Sequence, residues 1–281
     1  MAGYIGNKAV NLSTSGADIS GTANLDAVDI DGAVQIDATL SVGVNDTGYD
    51  VKFFGATASR HMTWDESADS LIISGDLDVN DGTIKLDGNY PVGTGNVALG
   101  DTALDDGSLS GAYNTAIGNL ALTANTSGAA NTAMGANVMA SNTTGGSNSA
   151  FGRNALGTNT TGSNNTAVGY NSLVSGTTGG NNTAVGWSSL FNNTTADNNT
   201  AVGYQAGYSN TTGDRHVAIG YSALNANTTG YRNNAIGYLA LTTNTTGFEN
   251  NALGVNALRY NTTGAYNVAV GHEALINNTT A

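Results

Sequence analysis

The sequence lacks cysteine, contains one proline and carries few charges. Without cysteine neither a disulfide nor a thiolate metal site can form, so packing or self-association must stabilise the fold. Charged residues make up 10% of the chain, against roughly a quarter in ordinary globular proteins. No apolar run approaches the roughly 18 residues of a membrane span, and the first residues lack the basic and apolar segments of a signal peptide. We expect no membrane insertion, no cofactor and no metal.

Glycine is abundant, and most of the polarity comes from Asn, Thr and Ser. The chain has 39 Gly, and Asn, Thr and Ser favour turns and strand edges over helix interiors. This composition predicts an all-β fold with many turns and little helix. The formal net charge of −13 argues against nucleic-acid partners and anionic membrane surfaces, which would repel the chain.

The character of the sequence changes near Pro91. Residues 1–90 hold 14 of the 21 acidic side chains against four basic ones, whereas residues 91–281 hold seven acidic and four basic. We interpret residues 1–24 as an N-terminal attachment segment, 25–90 as a β-rich shaft region and 91–281 as a repeat region. Short apolar segments between Gly, Asp and Asn predict strands in the shaft at Val34–Val42, Leu71–Ile73, Leu77–Val79 and Ile84–Leu86.

In the repeat region the tripeptide Ala-apolar-Gly recurs at a fixed interval. After one step of 18 residues, nine consecutive steps are 17 residues, with the glycine at positions 100, 118, 135, 152, 169, 186, 203, 220, 237, 254 and 271. A short fixed period is the signature of a solenoid, whose coils stack on one another. The sequence therefore predicts a parallel β-solenoid, or β-roll, of eleven 17-residue coils.

Aligning the coils on this glycine defines columns of equivalent residues. The residue two before it is Ala in all eleven coils, the residue just before it is always apolar, and Leu or Met stands four after it in ten coils. The exception is Gly207, where we expect Tyr208 to fill the space. These columns predict two packed faces, with each coil built from two short strands and two turns. The predicted core positions include Ala167, Val168, Gly169, Leu173, Ala201, Val202, Gly203, Ala218, Ile219, Gly220 and Leu224.

One coil cannot be stable alone. Two large apolar side chains contribute roughly 3–6 kcal/mol on burial, whereas ordering the backbone of one coil costs on the order of 20 kcal/mol. Coil-to-coil ladders must supply the difference. Asn stands four before the glycine in ten coils and again in Asn-Thr-Thr-Gly turns, and stacked Asn side chains can bond from coil to coil. The thin core and the all-Ala column favour completion of the fold as a homotrimer of parallel chains.

Two stretches resemble known families. The repeat Asn-Asn-Thr-Ala-Val-Gly-Tyr, at residues 164–170 and 198–204, resembles the head repeats of trimeric autotransporter adhesins, which form left-handed parallel β-rolls of three chains. Residues 3–6, 42–55 and 64–73 resemble bacteriophage tail-fibre sequence. An autotransporter would carry a signal peptide and a C-terminal membrane barrel, which we do not find here. We therefore favour the phage fibre and keep the bacterial surface adhesin as the alternative.

The fibre resemblance implies a structural protein and not an enzyme. It implies an extracellular location in the virion tail fibre, as a rigid trimeric rod. Its N-terminal region would bind baseplate or proximal fibre proteins, and the solenoid would project towards a host-surface glycan or protein.

Aromatic residues form a column just after the glycine. Its members are Tyr170, Trp187, Tyr204, Tyr221 and Tyr238. Rings of this kind are good platforms for sugars, so these residues are the candidate glycan or receptor contacts. In this register the rings can also stack on one another for stability or pack between chains, which is the interpretation that we favour.

The acidic pair Asp197 and Asp214 is the candidate for a glycan-cleaving tailspike. The pair is 17 residues apart, which places it on adjacent coils about 5 Å apart, near the carboxylate separation of a retaining glycosidase. Arg215 and Arg232 occupy the next column and Glu249 lies one coil beyond, so a surface charge ladder is the simpler interpretation. We predict no catalytic residue.

Other signals are weaker. The histidines His61, His216 and His272 show no metal-ligand spacing, and Asp29-Ile-Asp31-Gly lacks the rest of a calcium loop. Asn-Thr-Thr matches the glycosylation sequon, but its columns match turn chemistry. A flat Thr-bearing face would permit an ice-binding protein, although the Thr column before the Ala is interrupted at Val97, Val217, Asn234, Asn251 and Val268.

Overall fold

The computed structural model describes residues 51–54, 61–65, 70–74 and 94–280. The chain divides into two units, Met1–Thr83 and Ile84–Ala281, which are described separately. The predicted attachment segment 1–24 and the strand candidates Val34–Val42, Leu77–Val79 and Ile84–Leu86 lie outside the described residues. Among the residues that are described, none forms a helix long and apolar enough to cross a membrane.

The described part of the first unit is a three-stranded antiparallel sheet. Its strands are β1 (Val51–Phe54), β2 (His61–Asp65) and β3 (Ser70–Ser74), in that order across the sheet. The predicted strand at Leu71–Ile73 lies within β3 and is confirmed. Both neighbours of β2 pair with it along its length, with Val51 and Leu71 opposite Trp64.

The second unit is a parallel β-solenoid. Eleven strands form one parallel sheet in sequence order, joined by about ten turns of the solenoid. The strands are β4 (Val97–Leu99), β5 (Thr115–Ile117), β6 (Thr132–Met134), β7 (Ser149–Phe151), β8 (Thr166–Val168), β9 (Thr183–Val185), β10 (Thr200–Val202), β11 (Val217–Ile219), β12 (Asn234–Ile236), β13 (Asn251–Leu253) and β14 (Val268–Val270). The predicted fold class, all-β with a parallel solenoid, is confirmed for this part of the chain.

The register of the sheet follows the sequence period. Each residue of the Ala column pairs with the Ala of the next strand, as Ala201 pairs with Ala184 and Ala218. Successive side chains of a strand point to opposite faces. Ala201 therefore points into the coil, where it is fully buried, and Val202 points outward, where it is 36% exposed.

The prediction of two strands in each coil is wrong. Each coil has one strand of three residues, and turns form the rest of its path. In nine of the eleven coils, three residues that are not glycine have a left-handed backbone, such as Asn171 (φ 55°), Leu173 (φ 50°) and Asn181 (φ 58°). Asn tolerates this conformation. Leu173 adopts it while its side chain is 1% exposed, so burial in the core holds the residue there.

The core lies inside the coil and is filled by small and medium side chains. The predicted core residues Ala167, Leu173, Ala201, Ala218 and Leu224 are buried. Because the Ala column faces the interior of its own chain, it gives no reason for close approach of a second chain.

The residues just before the glycine do not belong to this core. Val168 is half-buried, while Val202 is 36% and Ile219 38% exposed. Strand alternation is the cause, because the inward Ala sends both of its neighbours outward. We call this set the outer apolar column.

Leu190, and not Tyr208, lies beside Gly207. The Leu190 Cδ2 atom is 2.9 Å from the place where a Cβ of Gly207 would lie. Tyr208 instead stacks on Phe191 of the preceding coil, with ring centroids 5.0 Å apart. The interruption of the Leu column is thus filled by the neighbouring member of that column.

Buried asparagines link the coils, as predicted. Asn148, four before the glycine, donates from Nδ2 to the Gly162 carbonyl at 2.9 Å, and its Oδ1 accepts the Asn165 N–H at 2.9 Å. In the Asn-Thr-Thr-Gly turns, Asn142 Nδ2 donates to Asn125 Oδ1 at 2.8 Å. Both amide groups are buried and used in hydrogen bonds, so these side chains serve backbone geometry and coil stacking.

Candidate functional site

The five predicted aromatic residues form one continuous stack. From Tyr170 to Trp187, Tyr204, Tyr221 and Tyr238 the ring centroids are 6.1, 4.9, 5.1 and 5.3 Å apart. The planes of neighbouring rings are between 6° and 18° from parallel. The 17-residue period and the in-register pairing of strands place each ring directly against its neighbour in the next coil.

Stacking covers the ring faces and leaves the ring edges in solvent. Each of the five residues is between 40% and 50% exposed. At one end of the stack the exposed Arg153 extends the column, with its guanidinium carbon 5.9 Å from the Tyr170 ring centroid. Because sugars usually stack on an open aromatic face, the geometry favours stabilisation by ring stacking over the flat sugar platform that we considered.

The glycine between the outer apolar column and the aromatic stack cannot carry a side chain. In Gly135 (φ 139°), an added Cβ would lie 2.8 Å from both the carbonyl carbon and the oxygen of Gly152 in the next coil. The predicted core positions Gly169, Gly203 and Gly220 have the same backbone, with φ of 131°, 136° and 135°. These glycines are half-buried, so they separate two exposed columns of large side chains.

The outer apolar column forms an exposed apolar stripe along the sheet of the solenoid. It contains an apolar residue in all eleven strands. Among its most exposed members are Leu99, Met134, Phe151, Val202, Ile219, Ile236, Leu253 and Val270, each at least 36% exposed. Exposed apolar stripes are candidates for interaction surfaces.

Two further aromatic stacks lie elsewhere on the coils, and Phe248 also makes an edge contact with Tyr266. Phe191 stacks on Tyr208, and Tyr231 stacks on Phe248 with centroids 4.8 Å apart. The sequence signal for both pairs was available, since each pair is separated by one period of 17 residues. Our sequence analysis followed only the column after the glycine and missed them.

The carboxylates of Asp197 and Asp214 each accept a backbone hydrogen bond from the preceding coil. Asp197 Oδ1 accepts the Gly180 N–H at 2.6 Å, and Asp214 Oδ1 accepts the Asp197 N–H at 2.9 Å. Beside them, Arg232 and Glu249 form a salt bridge of 2.8 Å. These contacts favour the surface ladder over a catalytic pair.

The two histidines of the solenoid lie in different surroundings. His216 is buried in the column of asparagines, whereas His272 is exposed. Within the described residues, no group of three or more His, Cys, Asp or Glu side chains could hold a metal ion. Asp29 and Asp31 lie outside these residues.

Comparison of the chain with protein-family models, curated proteins and solved structures found no match.

Proposed function

We propose that this chain is a structural fibre protein: a rigid rod of a phage tail fibre that self-associates as a homotrimer and presents a host-surface binding region. The observation that carries the proposal is the continuous ladder between coils. Backbone bonds, two columns of buried asparagines and a column of threonines all run along the solenoid axis, as Thr143 Oγ1 donates to the Thr160 carbonyl at 3.0 Å. Eleven strands at about 4.8 Å give a rod roughly 50 Å long.

The outer apolar column supports self-association. A partner that covers it must be extended and must match the coil spacing over the full length of the sheet. A second and a third copy of the chain meet both conditions. The solenoid region also has little net charge, with seven acidic and four basic residues between 91 and 281, so repulsion between copies is weak.

The fibre context rests on the resemblances of the sequence. In this proposal residues 1–90 attach to baseplate or proximal fibre proteins and the solenoid projects towards a host glycan or protein. Immunolabelling of residue 1 on native particles tests the polarity. A label at the free tip would reverse it.

The mass of the purified chain tests self-association. Sedimentation equilibrium should give three times the single-chain mass of 28.2 kDa. The double variant Val202→Ser/Ile219→Ser should dissociate the assembly and keep its β-type circular dichroism. A matched control, Thr161→Ser/Thr178→Ser, changes two other surface residues and should remain associated. A stable, folded monomer of the parent chain in dilute solution would contradict the homotrimer.

A second candidate function, ice binding, has one observation in its favour. The second Thr of the turns forms an exposed column over eight consecutive coils, at Thr144, Thr161, Thr178, Thr195, Thr212, Thr229, Thr246 and Thr263. This column is more regular than the interrupted one before the Ala. A thermal hysteresis assay decides: activity that Thr195→Lys removes would favour ice binding, and no activity in the parent would reject it.

A further inference from the structure

Three tyrosines of the aromatic stack follow one another without interruption. Tyr204 and Tyr221 have ring centroids 5.1 Å apart with planes 6° from parallel, and Tyr221 and Tyr238 are 5.3 Å apart with planes 18° from parallel. Each of the three residues is between 41% and 50% exposed. Within the described part of the chain, these are the only pairs of tyrosines whose rings are in contact.

We propose that Tyr204, Tyr221 and Tyr238 form a site of oxidative cross-linking, at which a peroxide-dependent one-electron oxidant joins tyrosines of adjacent coils into dityrosine. The product would be a covalent staple along the solenoid axis, independent of the proposed fibre function. Because the linked residues lie 17 positions apart in the sequence, the new bond would close a loop of one coil.

The chemistry balances with peroxide as the oxidant. Each of two tyrosines loses one electron and its phenolic proton, which gives two phenoxyl radicals. A carbon–carbon bond forms between ring carbons beside the two hydroxyl groups, and the hydrogens of those carbons move to the oxygens as the rings become aromatic again. One peroxide molecule takes up the two electrons and two protons and becomes two molecules of water.

The solenoid supplies the two conditions that coupling needs. Strand pairing fixes the distance between the tyrosines, since Val202 and Ile219, the residues two before Tyr204 and Tyr221, lie opposite each other in the sheet. Exposed ring edges allow the oxidant to reach the column and the phenolic protons to leave into solvent. Trp187 stacks on Tyr204 at 4.9 Å, so oxidation of the indole can also pass to the tyrosines.

Other exposed tyrosines provide the comparison. Tyr113, Tyr260 and Tyr266 are 67%, 43% and 69% exposed, so exposure alone would make them equally reactive. None of the three contacts another tyrosine ring among the described residues. Selectivity for the stack therefore separates coupling by geometry from coupling by access.

The test is treatment of the full chain, at low concentration, with hydrogen peroxide and a haem peroxidase. Dityrosine fluorescence and peptide mapping by mass spectrometry are the readouts. We expect cross-linked peptides that join Tyr221 to Tyr204 or Tyr238, lighter by two hydrogen atoms, within one chain. Tyr221→Phe keeps the stack and should lose the product, whereas the matched control Tyr260→Phe should keep the parental yield. The cross-linked chain should melt at a higher temperature.

Four outcomes would overturn the proposal. The first is a dityrosine yield in Tyr221→Phe equal to that of the parent chain, and the second is cross-links spread evenly over Tyr113, Tyr260 and Tyr266. The third is cross-links that form only between chains, and the fourth is the absence of dityrosine from a chain whose tyrosines are oxidised. Treatment of the denatured chain gives the reference distribution, in which the preference for Tyr221 should disappear.

Discussion

The side-chain oxygen Oδ1 of Asn159 is buried without a hydrogen-bond donor, and Gly176 stands at the place in the next coil from which an asparagine would donate to it. In the two preceding coils that bond is present. Asn142 Nδ2 donates to Asn125 Oδ1 at 2.8 Å, and Asn159 Nδ2 donates to Asn142 Oδ1 at 2.7 Å. One substitution in the repeat therefore leaves one amide oxygen unsatisfied inside the solenoid.

Gly176→Asn should stabilise the chain. An asparagine there can donate to Asn159 Oδ1 and accept from Asn193 Nδ2, and its Cβ would lie 3.3 Å from the nearest atoms of Leu173, a small adjustment. We expect a gain of about 1–2 kcal/mol in the free energy of unfolding, from the restored bonds and the less flexible unfolded chain. Urea denaturation measures it.

Gly176→Ala is the control for this prediction. It adds the Cβ and reduces the flexibility of the unfolded chain, but it leaves Asn159 Oδ1 without a donor. If the alanine variant is as stable as the asparagine variant, the missing bond at Asn159 has no measurable cost.

Much of the solenoid could be predicted from its period. The recurrence of Ala-apolar-Gly predicts stacked, in-register strands, and the buried Leu column and Asn columns were identified correctly from their spacing. The outward direction of Val202 and Ile219 was not, because an apolar residue was assumed to lie inside. Inside each coil, the strand contributes only the Ala side chain, and the Leu four residues after the glycine fills the remaining space of the core. The single strand per coil was also missed, since Leu173 adopts a left-handed backbone that its residue type does not favour.

For the candidate site, the sequence predicted the column of rings but not which part of each ring is exposed. Spacing places Tyr204 and Tyr221 in one column, but which part of a ring meets solvent depends on the angle between the planes. At 6° from parallel, the faces meet each other and only the edges remain exposed.

Ala235→Leu should destabilise the solenoid strongly. Ala235 is fully buried and paired in register between Ala218 and Ala252, so three added carbons have no space. Overpacking of this kind costs about 1–3 kcal/mol. The matched control is Val255→Leu, which adds volume to a side chain that is 40% exposed and lies outside the outer apolar column, and it should leave the thermal midpoint nearly unchanged. Equal effects of the two variants would mean that the Ala column is not the interior of the coil.

Asp214→Asn should change stability little. Asp214 acts through Oδ1, which accepts the Asp197 N–H, and an asparagine keeps that oxygen. Asp214→Ala removes the acceptor and should lose about 1 kcal/mol, the usual net contribution of one hydrogen bond. Thermal melts of the two variants beside the parent are the measurement. A large loss in Asp214→Asn would show that the charge itself, and not the acceptor, holds these coils together.

His216 replaces an asparagine in a buried column and reproduces its bonds. The backbone N–H of His216 donates to Asn199 Oδ1 at 2.9 Å, and the ring nitrogen Nδ1 accepts the backbone N–H of Asn233 at 3.1 Å. The ring also lies 3.1 Å from Asn227 Nδ2. Burial is the main cause that lowers the pKa of His216 to about 4, and the hydrogen bond with the Gly230 backbone and the Asp214 charge act in the opposite direction. A proton on Nδ1 would face the Asn233 N–H, so the neutral ring is the form that fits.

Acid should therefore weaken the solenoid at this coil. With a pKa of about 4 in the folded chain and about 6.5 in the unfolded chain, the unfolded chain binds more protons between these values, so stability falls as the pH drops from about 6.5 to about 4. The full difference is on the order of 3 kcal/mol. His216→Asn restores the repeat residue and should flatten this part of the pH profile, whereas Thr229→Asn, at an exposed position that does not titrate, should leave it unchanged. The comparison is urea unfolding of the three proteins at several pH values. A profile of His216→Asn that follows the parent would show that His216 is not held neutral by its surroundings.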